Sequence, residues 1–180
     1  MKKIIGVLFT VCLVFAFAGC KSTPPSSAGI PPTIANARRN APEDVLVGIG
    51  DAKLNTVALS RSIAATRARA EISNSMDSMV KNMIRDYTAA SEVDPNAAIS
   101  FQEIMIANLS KSNLTGAVIT DEVPDNNGEW WVVVQLSKEN VAKEISQAQA
   151  AARLAVPAMA SFDAESRMND AFEQAKKEDR

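Results

Sequence analysis

Few side chains in this 180-residue chain have types and spacings that could do chemistry, and the first is a thiol. Cys20 closes the stretch Phe15-Ala16-Phe17-Ala18-Gly19-Cys20, behind an apolar run that begins just after Lys2 and Lys3. A short basic start, an apolar run and small residues before a cleavage point form the pattern of a secretory signal. Residues 1–19 therefore read as a removed signal and Cys20 as a lipid attachment site, its thiol free for alkylation. Ordinary cleavage near Ala18 or Gly19, leaving an unmodified N-terminal cysteine, fits the same small residues. Ile4 to Ala18 is short for a membrane span and lacks a stop-transfer flank.

The remaining chemistry is sparse. The chain has no histidine, which removes the commonest general base and transition-metal ligand. Its other cysteine, Cys12, lies in the apolar run, so the processed chain would hold one thiol and no internal disulfide. Gly48-Ile49-Gly50 invites a dinucleotide-binding reading, but Lys53 stands where the third glycine belongs, and no second strand places an acid for the ribose. Asp121, Glu122, Asp125 and Glu129 are the densest carboxylates. They lack the spacing of a calcium loop and are equally at home as polar turn residues. The expectation is a protein that is not an enzyme and uses no cofactor or metal. After residues 1–19 the charge is 17 basic against 21 acidic side chains, a net of −4, which gives no support to nucleic acid as a partner.

The elements that would hold these residues follow from pattern. Lys21 to Asn40 carries Pro24-Pro25, Pro31-Pro32, three serines and several alanines, and 20–42 reads as an anchored, extended tether. At about 3.1 Å per residue, twenty such residues reach roughly 60 Å. Val45 to Gly50 reads as a strand. Asn55 or Thr56 caps a long helix ending near Tyr87 or Thr88, with small Ala64, Ala65 and Ala68 in its early half and Met76, Met79 and Met83 later. The small end suits close packing on a sheet. Asp94-Pro95 starts a second helix running to about Ser112. Ala117–Val123 and Glu129–Leu136 flank Pro124-Asp125-Asn126-Asn127-Gly128 as a β-hairpin. Trp130, Val132, Val134 and Leu136 share the core face of its second strand. Trp131 and Val133 lie on the other face, either covered by the C-terminal helix or forming a contact surface. Ser137 caps a third helix, and 146–180 reads as an alanine-rich helical extension interrupted at Pro157.

The fold class expected is α+β: a small three-stranded sheet ordered strand, helix, helix, β-hairpin, helix, with the helices packed on one face. Such a chain, with an anchor but no active-site constellation, reads as a structural or interaction protein. A small-ligand or envelope-polymer binding module is the alternative.

Two resemblances sharpen that expectation. Phe17-Ala18-Gly19-Cys20 resembles the lipobox of bacterial lipoproteins, with Phe17 in place of the usual leucine. Lys21 follows the cysteine rather than the aspartate that retains such proteins at the inner membrane. The resemblance implies a diacylglycerol on Cys20 and anchorage at the outer membrane, facing the periplasm. With Gly48-Ile49-Gly50-Asp51-Ala52, Ala64-Ala65-Thr66-Arg67-Ala68-Arg69-Ala70-Glu71-Ile72 and Trp131-Val132-Val133-Val134, residues 43–145 resemble the LPP-twenty family of bacterial lipoproteins. That implies an outer-membrane lipoprotein of a family mostly without defined function, some members of which support flagellar assembly or motility while others are surface antigens. The family offers no catalytic residues to carry over. Self-assembly or an envelope protein partner is expected from the anchor, the tether and the missing catalytic chemistry.

Overall fold

The computed structural model describes residues 30–178. The expected signal, Cys20 as the expected lipid-attachment residue, and residues 20–29 of the expected tether lie outside them. The architecture is α+β, a three-stranded antiparallel sheet with five packed helices. In chain order the elements are α1 (Pro32–Asn40), β1 (Val45–Ala52), α2 (Val57–Ala89), α3 (Pro95–Leu109), β2 (Val118–Pro124), β3 (Trp130–Ser137), α4 (Lys138–Ala155) and α5 (Met168–Glu178). Two short 3-10 turns, Pro157–Met159 and Glu165–Arg167, join the last two helices. The hairpin strand β3 is central, between β1 and β2.

Local signals explain the boundaries. The Thr56 hydroxyl accepts from Leu59 N, Asp94 accepts from Asn96 N before Pro95, and Ser137 accepts from Asn140 N. Each satisfies a donor that the first helical turn leaves orphaned. Pro157 can neither donate its nitrogen nor continue α4, so the chain turns there.

Packing on the inner face of the sheet is dictated by the two glycines of β1. A Cβ on Gly48 would come within 2.0 Å of the Ala68 carbonyl oxygen, and one on Gly50 within 2.1 Å of the Ala64 oxygen. The Gly-x-Gly is thus a seat for α2, whose own contact residues Ala64 and Ala68 are fully buried. Further along, where the sheet ends, Met76, Met79 and Met83 fill the space between α2 and the other helices. Phe162 closes this core, edge-on to Tyr87 and to Phe101 with ring centroids 5.4 Å apart in each pair. Gln149 holds the turn that carries it, donating to Phe162 O and accepting from Ala164 N.

The core runs continuously from Leu46 to Ala175. The helical extension 146–180 packs back on this body as far as Glu178. In the last turn of α5, Lys176 Nζ donates to the carbonyls of Pro42 and Glu43.

The stretch 32–40 departs from the extended tether expected there. It is helical, with Pro32 as its first residue and Arg38 and Arg39 in its last turn. A proline at that position gives up only a donor that was orphaned anyway, and the arginines complement the helix C-terminus. Ile34 and Ala37, three residues apart, are buried against the outer face of the sheet. One helix therefore covers the face opposite to the other four.

Candidate functional site

On that outer face Val45, Val47, Ile49 and Asp51 alternate out of β1, opposite Ser137, Gln135, Val133 and Trp131 of β3. Val47 and Val133 are buried beneath Ile34 and Ala37. Val133, expected as part of a contact surface, is fully buried and offers nothing to a partner. Its cover is α1, and not the C-terminal helix. Trp131 is different: it packs against the same cluster but is only half-buried.

Between α1 and Trp131 lies a groove of about 650 Å³, lined by Ile30, Ile34, Arg38, Ile49, Glu71 and Trp131, with Ala35 and Arg39 at its rim. That volume lies within the range of roughly 300–1,000 Å³ usual for small-molecule sites. Its edge is set by a polar relay across β1. Glu71 of α2 accepts from the Ile49 backbone N–H with one oxygen and pairs with the Arg38 guanidinium through the other. The outward-facing backbone of β1 is thereby occupied at Ile49. Arg67 donates to the Asp51 carbonyl one residue pair further on. Arg39 is exposed and forms no ion pair among the described residues. Two donors that line the groove, Arg38 Nε and Trp131 Nε1, are buried without an acceptor. Such an unmet buried donor costs roughly 1–3 kcal/mol.

The other residues singled out from the sequence are dispersed. Asp125 organises the hairpin turn, accepting from the backbone N–H groups of Asn127 and Glu129 at 2.8 Å each. Against a desolvation that acts the other way, those hydrogen bonds hold its carboxyl below the usual range. Glu122 pairs with Arg61, which also lies over the Trp130 ring. Asp121 is exposed on the edge strand β2. Glu129 is pushed up by partial desolvation and by the neighbouring charges of Asp51 and Asp125. No group of three or more carboxylates or cysteines among the described residues is arranged to hold a metal ion. No described helix is long and apolar enough to cross a membrane.

A second polar feature went unforeseen. The buried carboxylate of Glu144 accepts from Ser112 Oγ at 2.6 Å and from Thr115 N at 3.1 Å. It holds a loop whose Leu114 adopts a left-handed φ of 47°. Its position on α4, flanked by Val141, Ile145 and Ala148, marked the apolar stripe without revealing that a carboxylate borders it. A glutamate there looks solvated until the α3–β2 loop folds over it.

Fold and groove together define a helix-covered antiparallel α+β domain with a part-apolar slot on its outer sheet face. No family model, curated protein or solved structure matches this chain.

Proposed function

We propose that this chain is a lipid-anchored lipoprotein of the cell envelope, held at the outer membrane through Cys20, with a structural or interaction role. The observation that carries the reading is the run from Lys2 to Cys20, with its basic start, apolar stretch and small residues before a lone thiol. The LPP-twenty resemblance of residues 43–145 points the same way, toward an outer-membrane lipoprotein. The anchor with the missing catalytic constellation points toward self-assembly or an envelope or flagellar protein partner. The first described helix begins at Pro32, with eleven residues, 21–31, between it and Cys20. At the full extension of about 3.3–3.6 Å per residue they span at most about 40 Å.

Metabolic labelling with a tritiated fatty acid tests the anchor. Label and membrane association should both be lost in Cys20→Ser. A labelled Cys20→Ser chain, or an unlabelled parent in the soluble fraction, would overturn the reading. Crosslinking in intact envelopes then tests the interaction role. Adducts of defined mass are expected, and a chain that yields none would leave only the anchor.

A second reading, a small-ligand binding module, is favoured by one observation: the groove between α1 and Trp131. Ligands specific for the native state should raise its melting temperature.

A further inference from the structure

The groove under α1 has a composition that selects among ligand classes. Its long wall is apolar, formed by Ile30, Ile34, Ile49 and the Trp131 ring, and its rim carries Arg38 and Arg39. Glu71 is the only acid lining it, and that carboxylate is already engaged by Arg38 and by the Ile49 N–H. Two guanidiniums against one carboxylate leave a local excess of one positive charge, on a chain that is acidic overall. An extended peptide is a poor occupant. The β1 backbone it would pair with is taken by Glu71 at Ile49 and by Arg67 at Asp51, and an unpaired peptide backbone on an apolar wall is costly. A chain without backbone polar groups and with one anionic end fits both the wall and the rim.

We propose that this groove is a binding site for a single-chain anionic amphiphile, a long-chain fatty acid, with its acyl chain along Ile34, Ile49 and Trp131 and its carboxylate at Arg38 and Arg39. The two donors left without acceptors, Arg38 Nε and Trp131 Nε1, belong to the same slot. A small outward shift of α1 admits a carboxylate oxygen to Arg38 Nε and leaves the Trp131 ring against the acyl chain. The inference deepens the ligand-binding reading and does not depend on whether Cys20 carries lipid.

The test uses the full chain and 11-bromoundecanoate, whose bromine quenches a tryptophan it touches. Both tryptophans lie in β3, so fatty acid held elsewhere on the chain goes unseen. Saturable quenching is expected in the parent. It should persist in Trp130→Phe, where Trp131 is the sole reporter, and vanish in Trp131→Phe. Arg39→Ala, at an exposed position, should raise Kd roughly two- to fivefold, the size of a solvent-exposed ion pair. The proposal is overturned if 11-bromoundecanol quenches as strongly as the acid, if Trp130→Phe abolishes quenching in a chain with parental circular dichroism, or if the parent shows no saturation. In those cases a melting-temperature rise with some other envelope component would preserve the ligand-binding reading while this ligand class falls.

Discussion

On the inner face of the sheet, Gly48 and Gly50 lie so close to the carbonyls of α2 that no side chain fits between them. On the outer face, a nine-residue helix rests two residues, Ile34 and Ala37, on Val47 and Val133, and leaves two nearby donors unmet. The same three strands therefore carry one face packed to backbone contact and another covered by a small strap. Isolated helices of fewer than about twelve residues are marginal in water, so α1 depends on that packing and on the Arg38–Glu71 pair. The inner face supplies the cooperative body, and the outer face supplies a large slot beside it that is mostly apolar. Recognition is better built where packing is incomplete, because strands held at backbone distance have no room to admit anything.

The largest effect should come from the glycines. Gly50→Ala places a methyl where the Ala64 carbonyl already sits, and neither the backbone of α2 nor that of β1 can yield cheaply. Loss of about 3 kcal/mol or more is expected, because overpacking alone costs typically 1–3 kcal/mol and here the obstacle is backbone. Urea unfolding should show a collapsed midpoint or no folded baseline. A near-parental midpoint would show that the two faces are less different than the packing indicates.

Phe162→Ala should come next. The ring is fully buried between Tyr87 and Phe101, so its removal should cost about 3–5 kcal/mol. On the outer face Ile34→Ala removes a comparably buried side chain, yet about 2 kcal/mol is expected, the low end for such truncations, because α1 is held on one side only and can settle. The two variants should also differ in kind. Phe162→Ala should shift the whole transition, whereas Ile34→Ala should release α1 while β1 and α2 persist. Hydrogen exchange would then show the α1 amides unprotected and those of α2 at parental rates. Equal loss of protection in both helices would make α1 part of the cooperative unit.

How much of this was legible beforehand divides along the same line. Strand β1, helices α2, α3 and α4, and the hairpin follow from patterns of period two or near four and from caps at Thr56, Asp94 and Ser137, all of them local. The small early half of α2 beside the Gly-x-Gly also pointed to close packing, and it is there. α1 was obscured because Pro31-Pro32 reads equally as polyproline or as a helix start. Only Ile34 and Ala37 decide between the two, and they help only when an apolar sheet face is there to receive them. The groove could not be read at all, since Glu71, Ile49, Trp131 and Arg38 come from four separate elements. The buried Glu144 was hidden for the same reason.

The smallest effect expected lies at the hairpin end of the sheet, outside both packed faces. Glu129 titrates above the usual glutamate range through partial desolvation and the charges of Asp51 and Asp125, with Lys53 opposing. Because the folded chain holds this proton more tightly than the unfolded chain does, ionised Glu129 weighs against the fold. That penalty is fully present above the raised value and disappears as pH falls below the ordinary glutamate value of about 4.3. Glu129→Gln should therefore be more stable than the parent at neutral pH, and its amide can donate to Asp51 where the carboxylate repels it. The advantage should shrink on acidification and be gone near pH 4, read as the difference in urea midpoint between the two chains across pH. Since the side chain is only half-buried, solvent still screens these charges and the gain should be slight. A variant less stable than the parent at neutral pH would mean that the Lys53 attraction outweighs the two acids.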